Sequence, residues 1–283
     1  MLLAGLKQQP HAAPSPTWTE AQECFGHPAF DSIQGALSAL GSQHWPTLDA
    51  LNDLAHGKRN FCNLQIRFVA PEGGNDAARH YELRIATQGL IATRQTWHDL
   101  FNAAVWLTFP RAKAAISEMH SRIIEQRGDA ELKTRSRTRD VLTLFDEGGA
   151  IVVSEDTQLL ELVKRFGWKE LFWRRRRAVA GQMRVYLFGH SLFEKMLAPF
   201  MGITAKAICM EVSSGWLQQE RDAQITELDG RLATHFFDQR NLASTRMLSP
   251  FPVLGLPGWH PQAGNESFYD DQSYFRPGYM RER

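Results

Sequence analysis

The stretch TWHDLFNAAVWLTFP, residues 96–110, constrains the fold more than any other. As a helix turning about 100° per residue, it places Trp97, Leu100, Phe101, Ala104, Val105 and Leu107 on one broad face. His98, Asn102 and Phe109 share another flank, with Asp99 and Trp106 beside it. A helix apolar nearly all round has to be wrapped by the rest of the chain, so its polar strip must meet partners inside the protein or in a cleft. Thr96 and Asp99 form a capping-box variant at its start, and Pro110 ends it. A second helix, RAKAAISEMHSRIIEQRG, then runs to Gly128.

The 283 residues, 43% hydrophobic and 11% aromatic, suffice to bury such a helix in one large core or two modest ones. The 32 basic residues nearly cancel the 31 acidic ones, which argues against a nucleic-acid specialist. Cys24, Cys62 and Cys209 are far apart and lack CxxC spacing, which suits a reducing compartment and offers neither a disulfide framework nor a zinc site. The opening MLLAGLKQQPHAAPSP holds an apolar run too short for a signal peptide, and no stretch reaches the roughly 18 apolar residues that span a bilayer. A cytoplasmic protein without a membrane partner is expected.

Residues 1–16 read as disordered, 17–248 as a single domain, and 249–283 as an extended Pro/Gly/aromatic-rich arm docked on it through Trp259, Phe268, Tyr269 and Phe275. Short helices end at Gly41 and Gly57. NLQIRFVA and HYELRIAT alternate, predicting an antiparallel pair joined by the loop PEGGNDAAR, with Leu64, Ile66, Phe68, Tyr81, Leu83 and Ile85 inward and Glu82 and Arg84 as an outer ion pair. VLTLF and AIVV flanking DEGG predict a hairpin, followed by a helix capped by Ser154 and closed at Gly167. RVYLF reads as a buried strand leading to Ser191, whose spacing to Glu194 predicts a capping box opening the helix LFEKMLAPF. ITAKAICMEV fits strand or helix equally. SGWLQQERDAQITELDGRLATHFFDQ predicts a long helix with a stripe at Trp216, Ile225, Leu228, Leu232 and Phe236. The sum is α+β: a mainly helical single domain around a small, largely antiparallel sheet, with an extended C-terminal arm.

YELRI, TWHDLFNAAVWLTFPRAKAA, LTLFDEGGAIVVS, FGHSLFEKMLAP, GITAKA, PVLGLPGW and YDDQSYFRPG together resemble a proteobacterial family known only as a domain of unknown function. The resemblance runs from about Phe30 to Pro277 and departs at GLIATR, where Ala92 stands in place of a proline. It implies a bacterial setting and one shared domain; it carries over no site residues.

Candidate sites come from residue types alone. His98 and Asn102 are either a pocket lining or two polar groups satisfied within the core. His190 and Glu194 repeat the i, i+4 spacing on another apolar helix, where they would hold a divalent metal, orient an acid–base imidazole, or simply stabilise the helix start. A metal would need further ligands, with His98, Asp140, Asp146 or Glu147 available by type. Arg111, Lys113 and Lys206 read as cations at helix starts, where a bound anion would relieve the unfavourable dipole. Ser191 in GHSLF approaches the nucleophile-elbow pattern, but Phe193 occupies the place of its last glycine.

Three functions follow. The first is a small-molecule enzyme, acid–base or metal-assisted, with His98, Asn102, His190 and Glu194 in a cleft between two buried helices and an anionic substrate held by Arg111, Lys113 or Lys206. The second is a non-enzymatic protein binding RNA or an acidic partner through the basic run Arg174–Arg177 in WKELFWRRRR. The third is a serine hydrolase built on Ser191.

Overall fold

The helix beginning at Trp97 forms as read, with ten of its twelve residues buried, and the other elements are arranged around it. The structure, a computed structural model, describes residues 16–72, 81–128, 131 and 135–278. Residues 1–15 of the expected disordered leader, 73–79 of the expected loop and 279–283 of the arm lie outside the described residues.

In chain order the elements are helices α1 (Trp18–Cys24), α2 (Gln34–Ala39) and α3 (Leu48–Leu54), strand β1 (Arg67–Val69), helix α4 (Tyr81–Gln88) and strand β2 (Leu90–Ala92). Helices α5 (Trp97–Thr108), α6 (Pro110–Arg127) and α7 (Arg137–Gly148) follow, then strand β3 (Gly149–Ser154) and helices α8 (Thr157–Lys164) and α9 (Arg176–Gln182). Strand β4 (Met183–Leu187), helix α10 (His190–Met196), strand β5 (Thr204–Glu211), helix α11 (Arg221–Phe237) and strand β6 (Ser249–Pro252) complete the set. The fold is a mainly helical α+β domain. Its main sheet, ordered β4-β3-β5-β6, is mixed: β3 runs antiparallel to β4 but parallel to β5, and β6 closes the edge antiparallel to β5. All six residues of β3 are buried, as a central strand covered on both faces requires. Among the described residues no helix is long and apolar enough to cross a membrane.

Several local expectations are corrected. Tyr81–Gln88 is helix α4, so the antiparallel pair does not form; α4 is instead the crossover between β1 and β2, which are parallel. Tyr81 and Ile85 satisfy i, i+4 as readily as alternation, and Glu, Leu, Arg, Ala and Gln all favour helix. Glu82 consequently turns inward to accept a hydrogen bond from Ser117 at 2.8 Å, while Arg84 pairs with Glu72 at 3.1 Å.

The hairpin around DEGG is likewise absent, because helix α7 runs through it. Ser136 caps α7 by accepting from the Arg139 amide, and Val141, Leu142 and Phe145 bury at helical spacing. Asp146 and Glu147 thereby lie on a last helical turn rather than at a hairpin tip. Ser154 does not cap α8; Asp156 does, and the Ser154 hydroxyl donates to the Gln182 carbonyl. Ser191 is not an N-cap either, since α10 starts at His190 behind Gly189. ITAKAICMEV resolves as β5, which puts Lys206 in mid-strand, and Trp216 sits on a separate 3-10 turn ahead of α11. The remaining stripe on α11, Ile225, Leu228, Leu232 and Phe236, is buried. Beyond β6, short 3-10 turns bury Phe268, Tyr269 and Phe275 with Trp259 half-buried, and the Tyr274 hydroxyl donates to the Ile203 carbonyl at 2.7 Å.

One close approach fixes where α10 begins. The amides of Phe188 and Gly189 both donate to the Gly149 carbonyl at 2.9 Å, bringing the β4–α10 turn against the α7–β3 junction. A Cβ on Gly189 would lie 2.5 Å from the Glu147 carbonyl oxygen and closer still to the Gly149 amide nitrogen. Gly189→Ala is therefore expected to lower the unfolding free energy by about 1–3 kcal/mol in urea denaturation. Gly181→Ala, at a helical site with open space for a methyl group, should leave it unchanged or raise it.

Candidate functional site

His98 is the second residue of α5 and His190 the first of α10. Phe101 and Phe193 join the two helices with ring centroids 5.7 Å apart, and Phe30 packs on both. This apolar seam brings the imidazoles together with Nε2 atoms 3.1 Å apart, centroids 4.4 Å apart and planes at 80°. The α7–β3 junction supplies Glu147, whose Oε2 lies 3.5 Å from His190 Nε2 and accepts from the Ser191 hydroxyl. Ser191 Oγ also lies 3.3 Å from His98 Nδ1.

Each histidine turns its other nitrogen toward a carboxylate. Glu194 Oε2 is 3.6 Å from His98 Nδ1, and Asp146 Oδ2 is 3.7 Å from His190 Nδ1. The His190 side chain is 5% exposed, against 36% for His98 and 44% for Glu147, so solvent reaches one side of the cluster only. The pair lies on the wall of a cavity of about 600 Å³ that also presents Tyr81, Glu82, Arg94, Asn102, His120 and Arg139.

Behind this wall runs a buried polar network. Lys113, 3% exposed, donates to Asp146 Oδ1 at 2.5 Å and to Asn102 Oδ1 at 2.8 Å, and Asn102 donates in turn to the Tyr81 hydroxyl at 2.9 Å. Burial alone would raise the Asp146 carboxyl, but Lys113 and then His190 outweigh it and hold the group below the usual carboxylate range. Burial brings His190 down to about 4, against the pull of Asp146, so the imidazole is neutral at physiological pH. Glu82 moves the other way, raised by burial and then by Asp146. His120 accepts from Arg139 Nε at 3.0 Å, and burial, aided by Arg139, lowers it to about 3.

The structure brings His98, His190 and Glu194 to one place, but crosses the expected partnerships. Glu194 faces His98 rather than its own helix-mate His190. Asn102 is hydrogen-bonded to neither imidazole; it joins Lys113, which stands behind Asp146 and is not among the residues on the cavity wall. Arg111 lies elsewhere, beside a hollow of about 1150 Å³ along α11 that contains none of the His98 group. The amides of Arg111 and Ala112 at the start of α6 are occupied internally by the Asp229 carboxylate, at 3.1 and 2.8 Å. Lys206 is half-buried opposite Gly149 in the sheet, so its expected position at a helix start does not hold. Asp140 lies in the first turn of α7, remote from the last turn that carries Asp146 and Glu147.

Tyr81, Glu82, Arg94 and His120 are not among the expected site residues. A signal existed for one of them: Lys113, Ser117 and His120 recur at i, i+4 and i+7 along α6, and all three are buried. Polar residues on a helix face that must be covered mark an internal polar network or a cavity wall.

A family model for proteins of unknown function, DUF3025, matches residues 66–279. The chain belongs to this family. No curated protein and no solved structure matches it. Every element of the His98–His190 cluster lies inside the DUF3025 match, whereas α1, α2 and α3 precede it, with α2 and the α1 residue Trp18 packing on α5.

Two outcomes follow. Lys113→Met leaves Asp146 buried without its cation and should cost about 3–5 kcal/mol at pH 7 in urea denaturation, a loss that shrinks in acid as the carboxyl takes up a proton. His120 remains neutral in the fold down to about pH 3, whereas in the unfolded chain it protonates below about 6.5. Its contribution to stability thus falls as pH drops from about 6.5, by about 2 kcal/mol at pH 5, and the fall should be shallower by that amount in His120→Gln.

Proposed function

We propose that the protein is an enzyme acting on a small anionic molecule in the cavity beside His98 and His190, by acid–base or metal-assisted chemistry. One observation carries the reading: two imidazoles on separate helices meet Nε2 to Nε2 at 3.1 Å on a cavity wall, one buried and one open to solvent. Burying a histidine beside a carboxylate, with its Nδ1 lacking a hydrogen-bond partner among the described residues, is unfavourable for packing alone and suits a group that acts on something else. Arg94, Arg135 and Arg139 on the cavity wall supply the positive charge for an anionic substrate. Arg94 is paired with Asp99 at 2.8 Å and Arg139 with Glu131 at 3.5 Å, which leaves the exposed Arg135 as the better placed anchor. A bacterial, cytoplasmic setting accompanies this reading, supported by the family resemblance and by three thiols widely spaced in the chain.

A second reading is favoured by the position of Ser191, whose Oγ touches both His98 and Glu147. The serine would then be the nucleophile, with Glu147 placed to take its proton and His98 beside it, and an active-site-directed fluorophosphonate would label it. The arginine run offers less to a nucleic-acid or acidic-partner role: Arg174 and Arg175 pair with Glu170, and Arg176 stacks over Trp173 at 4.8 Å.

Turnover of chromogenic phosphate-ester, carboxylate-ester and amide probes tests the first reading. His98→Ala should lower kcat/KM at least about 100-fold while keeping the melting temperature, since general acid–base groups contribute about 10²–10⁴. Unchanged turnover in that variant would remove the histidines from the chemistry.

A further inference from the structure

The geometry points to a site for one divalent first-row transition-metal ion, bound by His98 Nε2, His190 Nε2 and Glu147 Oε2 with a coordination position open to the cavity. This rests on the reading that the His98–His190 pair is functional, and it names the cofactor that pair would hold. One ligand atom from each of the three residues lies within 4.8 Å of the others. Two of the edges are 3.1 Å between the imidazole nitrogens and 3.5 Å from His190 to the carboxylate oxygen. Ligands at about 2.0–2.1 Å from a tetrahedral ion stand roughly 3.3–3.4 Å apart, so both edges fit with shifts of a few tenths of an ångström.

A simple hydrogen bond between the rings explains the arrangement less well. In a head-to-head N–H···N bond the donor N–H and the acceptor's in-plane lone pair both lie along the N–N line, and the ring centroids then stand apart by nearly a ring diameter more than the nitrogens do. Here the centroids are only 4.4 Å apart and the planes cross at 80°, so at least one ring has its Nε2 in-plane direction turned off that line.

The surroundings place near each ring the kind of outer group that a metal-bound imidazole uses. Both rings present Nε2 inward and Nδ1 to an outer carboxylate, Asp146 for His190 and Glu194 for His98, at 3.7 and 3.6 Å. Neither contact is a hydrogen bond at these lengths, and Ser191 Oγ is nearer to His98 Nδ1 at 3.3 Å, so ion binding has to draw each carboxylate in by about 0.8 Å before it fixes the tautomer and orientation of its ring. Lys113 holds Asp146 through the opposite oxygen, so the carboxylate behind His190 is pinned from the protein interior. Two imidazoles and one carboxylate suit Zn²⁺ or Fe²⁺, and exposure of His98 and Glu147 keeps one side free for water or substrate.

Untagged protein, treated with chelator and dialysed, is titrated with Zn²⁺ alone and with Co²⁺ alone by calorimetry and visible absorption. One equivalent per chain is expected, with the Co²⁺ form showing the visible bands of a four- or five-coordinate site. Glu147→Gln and His98→Gln, both at partly exposed positions, should fold with the parent melting temperature and bind at least about 100-fold more weakly. Glu194→Gln should lose about 10-fold. Absence of saturable binding up to about 0.1 mM of either ion, or equal affinity in Glu147→Gln and His98→Gln, overturns the site. If no ion binds while His98→Ala still abolishes turnover, the metal is refuted and the acid–base pair stands. Stoichiometric binding with turnover unaffected by His98→Ala instead refutes the enzymatic reading and keeps the site.

Discussion

The buried ion pair between Lys113 and Asp146 is the constraint around which the interior is organised. Two charges taken out of water are tolerable only when each meets the other and their remaining hydrogen-bonding capacity is filled. Lys113 on α6 therefore meets Asp146 on α7, Asn102 on α5 and, through Asn102, Tyr81 on α4. Trp106 adds its ring 5.5 Å from the same ammonium group. Four helices are thus fixed in relative position by directional bonds, where apolar packing alone would tolerate sliding. The other oxygen of Asp146 faces His190, which couples this interior to the cavity.

Consecutive residues at the end of α7 divide the work. Asp146 points into the polar interior and Glu147, about 100° further round, points at the imidazole pair. Neither placement survives unless the chain leaves α7 directly into β3 and the β4–α10 turn comes down on top of it. Gly149 and Gly189 allow that contact: a Cβ on either would strike backbone at the end of α7. The strand order matters as well, because pairing β3 with β4 puts Leu187 opposite Ala150 and so delivers Gly189 and His190 to the helix end.

What the sequence reveals follows the strength of its periodic signals. The WHD helix, α6, α10, α11 and the strand before His190 are visible because their apolar spacing or their Gly and Pro boundaries admit one reading. His98, His190 and Glu194 could be singled out because each is a polar group on an apolar helix. YELRIATQ and VLTLF, read as strands, are short segments whose apolar residues satisfy both a period of two and an i, i+4 spacing, and tertiary packing decides for helix. Reading them as strands hid Tyr81 and Glu82 and made Asp146 and Glu147 look like turn residues. Arg111 and Lys206 illustrate the opposite case. A cation near a helix start suggests an anion, yet Asp229, distant in sequence, fills that role at α6, and Lys206 belongs to a strand.

The central claim is that His98, His190 and Glu147 converge on one ion rather than merely on one another. Anomalous diffraction from crystals grown with Zn²⁺, collected on both sides of the zinc edge, tests it most directly. A single peak at bonding distance from both Nε2 atoms and the Glu147 carboxylate is expected, with Asp146 and Glu194 drawn onto the outer nitrogens. Density without a peak there, the two rings sharing a proton while zinc binds elsewhere or not at all, would contradict it.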